Sequence, residues 1–207
     1  MISVHMTPVP NSTVVAYRDD GPLSRGMGML VAGQLPPLPP VIAGAFVTGV
    51  LLLIGVAGSD GLAVFAPAVT LLLTGPGSSH PHDGRIDWLV PPILRVIEYT
   101  FIAACGFAHD VPPVLIFLLL GAMAFHHYDL VYRLRQRVYP PAWLATFGLG
   151  WDGRMIIIAL FAVAGFVTGG FVLLAVYLWA LFGWESLTCL LATPRSGVEA
   201  TDTGTQD

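Results

Sequence analysis

The sequence predicts an all-α fold: a polytopic membrane helix bundle of about six transmembrane helices, with both termini cytoplasmic. Three observations predict it. Of the 207 residues, 55% are hydrophobic and only 11% charged, whereas a soluble domain carries roughly a quarter charged residues. Mean hydropathy is +0.75, and the apolar residues gather in runs long enough to enter a bilayer. The basic residues are nine arginines, and all eight that lie outside the body of a span fall on one side of a six-span arrangement.

Residues 1–39 are polar and turn-rich and end in LPPLPP. They read as a disordered, Pro-rich cytoplasmic tail with its prolines in polyproline conformation; a PxxP ligand is the lesser reading. The membrane domain occupies 40–192. Its first span covers about 41–56, a turn follows at 58–60, and a shorter second span covers 62–74, kinked at Pro67. GPGSSHPHDGR at 75–85 reads as a polar loop by its glycines and prolines. The third span runs over 88–107 with Pro91 and Pro92 in its first turn, where a missing N–H costs least.

A tight connection at 109–113 leads into the fourth span, which continues through GAMAFHHYDLVYRLRQR (121–137). Beyond it Trp143, Phe147 and Trp151 recur every four residues, predicting a short helix lying in the membrane interface. The last apolar run, 155–192, is too long for one crossing of a roughly 30 Å core at about 1.5 Å per residue. It is divided at Thr168-Gly169-Gly170. Residues 193–207 read as a second disordered cytoplasmic tail.

With six spans, Arg18, Arg25, Arg85, Arg133, Arg135, Arg137, Arg154 and Arg195 share one side, and the connections near 58, 109 and 169 carry no basic residue. The positive-inside rule places the arginine side in the cytoplasm. The all-arginine usage, with abundant Ala, Gly, Val and Pro, reads as a GC-rich bacterial genome, hence a multi-pass protein of the bacterial inner membrane. A net charge of -4 argues against a nucleic-acid partner. Cys105 and Cys189 lie in apolar runs without a CxxC pair and read as small hydrophobes.

Polar side chains converge at the cytoplasmic end. Arg95 and Glu98 lie one and two turns inside the third span, His126 and His127 close the fourth, Asp152 and Arg154 open the fifth, and Glu185 and Ser186 sit two turns from the end of the sixth. On a helix His126, Asp129, Arg133 and Arg137 share one face. Arg95 and Glu98, spaced i,i+3, are placed to neutralise one another. The adjacent His126 and His127 diverge by about 100° and chelate one ion poorly; His126 with Asp129 is the better ligand pair, and no metal is assigned. A positive rim above buried acids suits a phosphate-bearing lipid or nucleotide-linked substrate. Arg95, Arg133 and Arg154 are the expected phosphate contacts, with Glu98, His126, Asp129 and Glu185 orienting them or moving protons.

HPHDGRIDWLVPPILRVIEY (80–99), AFHHYDLVYRLRQR (124–137), PPAWL with GWDGR (140–154) and WES (184–186) together resemble an actinobacterial membrane domain of uncharacterised function, over about residues 80–192. That domain occurs C-terminal to nucleotidyltransferase and CDP-alcohol phosphatidyltransferase domains in multidomain proteins. The resemblance implies a setting in phospholipid or phosphoglycolipid synthesis, with membrane lipids and a CDP-alcohol phosphatidyltransferase or nucleotidyltransferase as partners. It supplies no catalytic residues and no cofactor. The spaced aspartates of the phosphatidyltransferases are echoed only by Asp83-Gly84-Arg85, so that activity is not assigned to this chain. An accessory, lipid-binding role is the first reading. A free-standing lipid-modifying enzyme using Glu98, His126, Asp129 and Glu185, with or without magnesium, is the second. A small transporter ranks last, because the two halves show no inverted repeat.

Overall fold

The computed structural model describes residues 11–57, 61–82 and 84–192. The expected turn at 58–60, Asp83 and the expected tail at 193–207 lie outside the described residues, as do residues 1–10. Among the described residues the chain is helical without strands. Six stretches are long and apolar enough to cross a membrane: Leu38–Gly55, Leu62–Ser79, Asp87–Ala108, Pro113–Arg135, Leu144–Val163 and Val167–Leu191.

The first span is helix α3 (Leu38–Ala57). The second is composite: a 3₁₀ turn at Leu62–Phe65, then α4 (Ala66–Thr74), then a second 3₁₀ turn at Gly75–Ser79. Pro67 therefore marks a change of helix type rather than a kink, because it falls in the first turn of α4, where its absent N–H has no intrahelical acceptor to serve. The start of the expected polar loop at 75–85 belongs to this second span. The third span is α5 (Val90–Ala108), opened by a short 3₁₀ turn at Asp87–Leu89 and by Pro91 and Pro92. The fourth is α6 (Pro113–Arg135). It stops because Arg137 adopts a left-handed conformation, φ 61°, with Val138 N donating to Arg133 O and Arg137 N to Leu134 O, the hydrogen bonds of a Schellman cap. Arg137 thus leaves the face that His126, Asp129 and Arg133 share.

The expected interfacial helix exists as one turn, α7 (Leu144–Phe147), with Trp143 and Phe147 in edge contact at 6.3 Å. Trp151 does not join it. It lies in α8 (Gly150–Val163), fully buried, its indole N–H donating to Asp20 at 2.8 Å. The division of the last apolar run also moves. Gly165, at φ +71°, closes α8, and α9 (Val167–Ala192) runs unbroken through Gly169 and Gly170. Those two glycines serve close packing: a Cβ would stand 1.9 Å from the Phe166 ring at Gly169 and 2.6 Å from the Phe161 ring at Gly170.

Helix α5 is the centre of the bundle, packed by α3, α6, α8 and α9. Leu94, Phe101, Ile116, Met123, Ile158 and Phe171 form the dry interior, while Phe46, Leu53, Phe117, Leu160 and Val176 point outward on the apolar circumference. Large outward apolar residues on every span are what hydrocarbon surroundings require.

The larger difference from expectation is at the N-terminus. Residues 11–31 form two short helices, α1 (Asn11–Arg18) and α2 (Pro22–Val31), folded across the arginine-bearing end of the bundle. Arg18 and Ser24 are fully buried and Asp20 nearly so. Composition alone made this stretch look solvated; specific partners on the spans bury it instead.

Gly170→Leu should destabilise the protein by about 1–3 kcal/mol through overpacking against Phe161. It should be seen as earlier thermal unfolding in detergent, whereas Gly183→Leu, with nothing within 4 Å of its Cβ, should leave the transition in place.

Candidate functional site

The polar groups of the spans meet around a residue of the N-terminal segment, Asp19. It occupies the turn between α1 and α2 at φ 52°, a left-handed conformation that aspartate tolerates better than most residues. Backbone contacts set its position. Trp151 N donates to Asp19 O at 3.1 Å, and Asp152 accepts from Gly21 N at 2.6 Å and Ser24 N at 2.9 Å. Asp152, from the fifth span, thereby caps the first turn of α2, a helix whose own N-cap residue, Gly21, has no side chain to do so. A Cβ at Gly21 would come within 2.0 Å of Leu149 O and one at Gly150 within 2.1 Å of Gly21 N, so this docking requires glycine on both sides.

The Asp19 carboxylate receives Arg154 Nη2 at 2.6 Å, with His127 Nε2 at 3.2 Å, Arg95 Nη1 at 3.5 Å and His126 Nε2 at 3.6 Å. Burial opposes its charge, but Arg154, then hydrogen bonds from His126 and His127, outweigh that and hold the carboxyl well below the usual carboxylate range. Arg154 also donates to Glu98 at 2.6 Å and to Gly148 O at 3.1 Å. Arg95 donates to Tyr17 O at 2.5 Å and lies 3.8 Å from Glu98. The expected i,i+3 pair is thus the weaker contact, and the main partner of Glu98 is Arg154.

A second group stands one turn further along α6. Arg133 is held bidentately by Glu185, with both N···O distances 2.5 Å, and pairs with Asp129. Asp129 is committed here and does not form the expected ligand pair with His126, whose ring instead stacks on Phe182 at 4.0 Å. A third group flanks the first: Arg18 donates to Thr74 O at 2.7 Å and Gly77 O at 3.3 Å at the end of the second span and pairs with Asp20 at 2.6 Å. His82 lies 3.3 Å from Arg18. Its burial, with Arg18 alongside, lowers the imidazole pKa below the ordinary value.

Of the residues singled out in the sequence, Arg95, Glu98, His126 and Arg154 come together, and Asp129, Arg133 and Glu185 form the neighbouring group. Asp19, Asp20, Arg18 and Asp152 complete the end of the bundle. A signal for the first three existed in Arg18-Asp19-Asp20-Gly21-Pro22, a dense charge run beside a turn in a chain poor in charge. Arg133 and Arg154, expected to hold phosphate, are instead occupied by carboxylates. Two clefts open beside the network. One, about 260 Å³, is lined by Asp19, Asp20, Arg25, His126 and the 139–145 loop. The other, about 700 Å³, is lined by Arg25, Met29, Ser78, Ser79, His80 and His82. At the opposite end a third cleft of about 330 Å³ is lined by small and apolar residues together with Cys105 and His109. Cys105 is buried there, as expected of a small hydrophobe.

Over residues 11–206 the chain matches a family described as "Family of unknown function (DUF5941)", and it belongs to that family. The match includes α1 and α2, beyond the 80–192 stretch on which the sequence resemblance rested. No curated protein and no solved structure matches the chain.

Arg154→Met should cost about 3–5 kcal/mol by leaving Glu98 and Asp19 buried without their main partner, and Arg154→Met with Glu98→Leu should recover part of that loss; thermal unfolding of the single and double variants measures it. Asp152→Ala removes the cap of α2, costing about 1–2 kcal/mol. In that background a cysteine at position 24, buried in the native fold, should become reactive to a membrane-impermeant maleimide.

Proposed function

We propose that this chain, as a member of a family of unknown function, is a multi-pass protein of a bacterial inner membrane. In this reading it holds an anionic lipid headgroup or phosphorylated intermediate at its arginine-bearing, cytoplasmic end, as an accessory component of phospholipid head-group metabolism. The observation that carries the reading is the pair of clefts sharing Arg25, placed where six apolar spans end and a buried charge network begins. A headgroup lying there keeps its acyl chains against the apolar circumference while its phosphate meets guanidinium and hydroxyl donors.

The geometry changes which residues serve. Arg133 and Arg154 are bound to Glu185, Glu98 and Asp19, so they maintain the site. Arg25 lines both clefts, its guanidinium held by the Gly21 and Ala145 carbonyls rather than by a carboxylate, and is the phosphate contact; Arg95, behind the smaller cleft beside Asp19, retains a buried Nη1 without a hydrogen-bond partner and supports it. Exposed Arg85, Arg135 and Arg137 add a basic rim at the same end, suited to anionic lipid.

The test is mass spectrometry of lipids retained by protein purified in native-like nanodiscs, followed by binding to vesicles with or without phosphatidylglycerol. Arg25→Ala should reduce retention of anionic lipid at least tenfold with thermal stability kept, and adding Arg95→Gln, which also takes a partner from Asp19 and Tyr17 O, should reduce it further at some cost in stability. Equal retention by wild type and the double variant would sink the proposal.

A further inference from the structure

The two adjacent histidines of α6 should aim apart, since successive residues on a helix diverge by about 100°. They do not act apart here, because Asp19 reaches down between them. His126 Nε2 stands 3.6 Å from one carboxylate oxygen and His127 Nε2 3.2 Å from the other, and the three donor atoms all lie within 4.8 Å of one another. Ligands about 2.0–2.1 Å from a tetrahedral metal are about 3.3 Å apart; His127 Nε2 stands at that spacing from one Asp19 oxygen and His126 Nε2 slightly beyond it from the other, so a small shift of the side chains brings all three donors to one ion.

Both imidazoles are oriented from behind. Tyr99 Oη is 2.7 Å from His127 Nδ1, and ligation through Nε2 puts the ring proton on Nδ1, from which it is donated to that oxygen. An outer partner of this kind fixes the tautomer of a ligating histidine. His126 lies flat on Phe182, centroids 4.0 Å apart and planes 9° apart. The same two residues that fix the rings leave both Nε2 atoms facing the Asp19 carboxylate.

We propose that Asp19, His126 and His127 form a site for one divalent transition metal, with an open coordination position facing the cleft beneath the 139–145 loop. Two imidazoles and one carboxylate favour Zn²⁺, Fe²⁺ or Co²⁺ over magnesium or calcium, which take oxygen ligands. Asp19 and His126 line that cleft of about 260 Å³, so a fourth ligand has access. The electrostatics constrain what it is. The charges facing the site, Asp19 and Glu98 against Arg95 and Arg154, already balance, so a dication leaves an excess of positive charge and the open position selects an anion: hydroxide, carboxylate or phosphate. Arg95 Nη1, buried without a hydrogen-bond partner, is the donor beside the ion for such a ligand. The site stands apart from the lipid reading, since metal uptake requires no lipid.

Full-length protein purified without a polyhistidine tag, stripped with chelator and titrated with Co²⁺ and Zn²⁺, tests it. One Co²⁺ per chain is expected, with visible absorption bands of four- or five-coordinate geometry displaced by Zn²⁺. His126→Gln and His127→Gln should each weaken binding 10- to 100-fold, while His82→Gln, outside the triad, leaves it unchanged. Substoichiometric uptake by the wild type, or equal binding by all three variants, would overturn the site; thermal unfolding of each variant identifies any that fails to fold, and Tyr99→Phe, which removes only the outer hydrogen bond to His127 and should also weaken binding, then replaces it.

Discussion

The arrangement depends on one buried carboxylate. Asp19 is carried by a segment with too little apolar surface to enter the bundle by itself, yet its side chain meets Arg154, Arg95 and two histidines from three spans. Desolvating such a group costs several kcal/mol unless its partners are complete. Equally, Arg154 and Glu98, wholly buried, have no water to turn to. Each side of the network is untenable without the other, which is what joins a short polar hairpin to a hydrophobic bundle.

Helix ends obey the same constraint. A terminus near hydrocarbon leaves N–H or C=O groups without water. Here the elements complete one another: Arg18 of α1 takes the carbonyls closing the second span, and Asp152 of the fifth takes the amides opening α2. Charge placement follows the helix dipole as well, with Asp152 in the first turn of α8 and Arg133 and Arg135 in the last turn of α6.

The spans were legible because length and hydropathy are the physical quantities that decide membrane insertion, and each of the six runs carries both. Their polar ends were legible too, since Arg95, Glu98, His126, Arg154 and Glu185 interrupt apolar sequence. What could not be read was pairing. Arg95 and Glu98 looked like partners by spacing along one helix, but Arg154 arrives from another helix at 2.6 Å and takes the carboxylate. Asp19 was missed for the opposite reason: its charge run lies in a polar stretch, where charge reads as solvated rather than buried. Gly169-Gly170 misled because glycine has two uses. There it admits aromatic rings, whereas Gly165 alone takes the backbone conformation that ends a helix.

The distance along the chain between Asp19 and its partner has a consequence for biogenesis. Asp19 is made before any of the six spans, and Arg154 follows 135 positions later. Chains emerge from the ribosome N-terminus first, so α1 and α2 have no completed binding surface until the fifth span is in the membrane. The hairpin made ahead of the spans therefore settles only after the fifth of them. Until then its arginines and aspartates lack their buried partners, and its closure onto the bundle marks the moment at which the third, fourth and fifth spans have met.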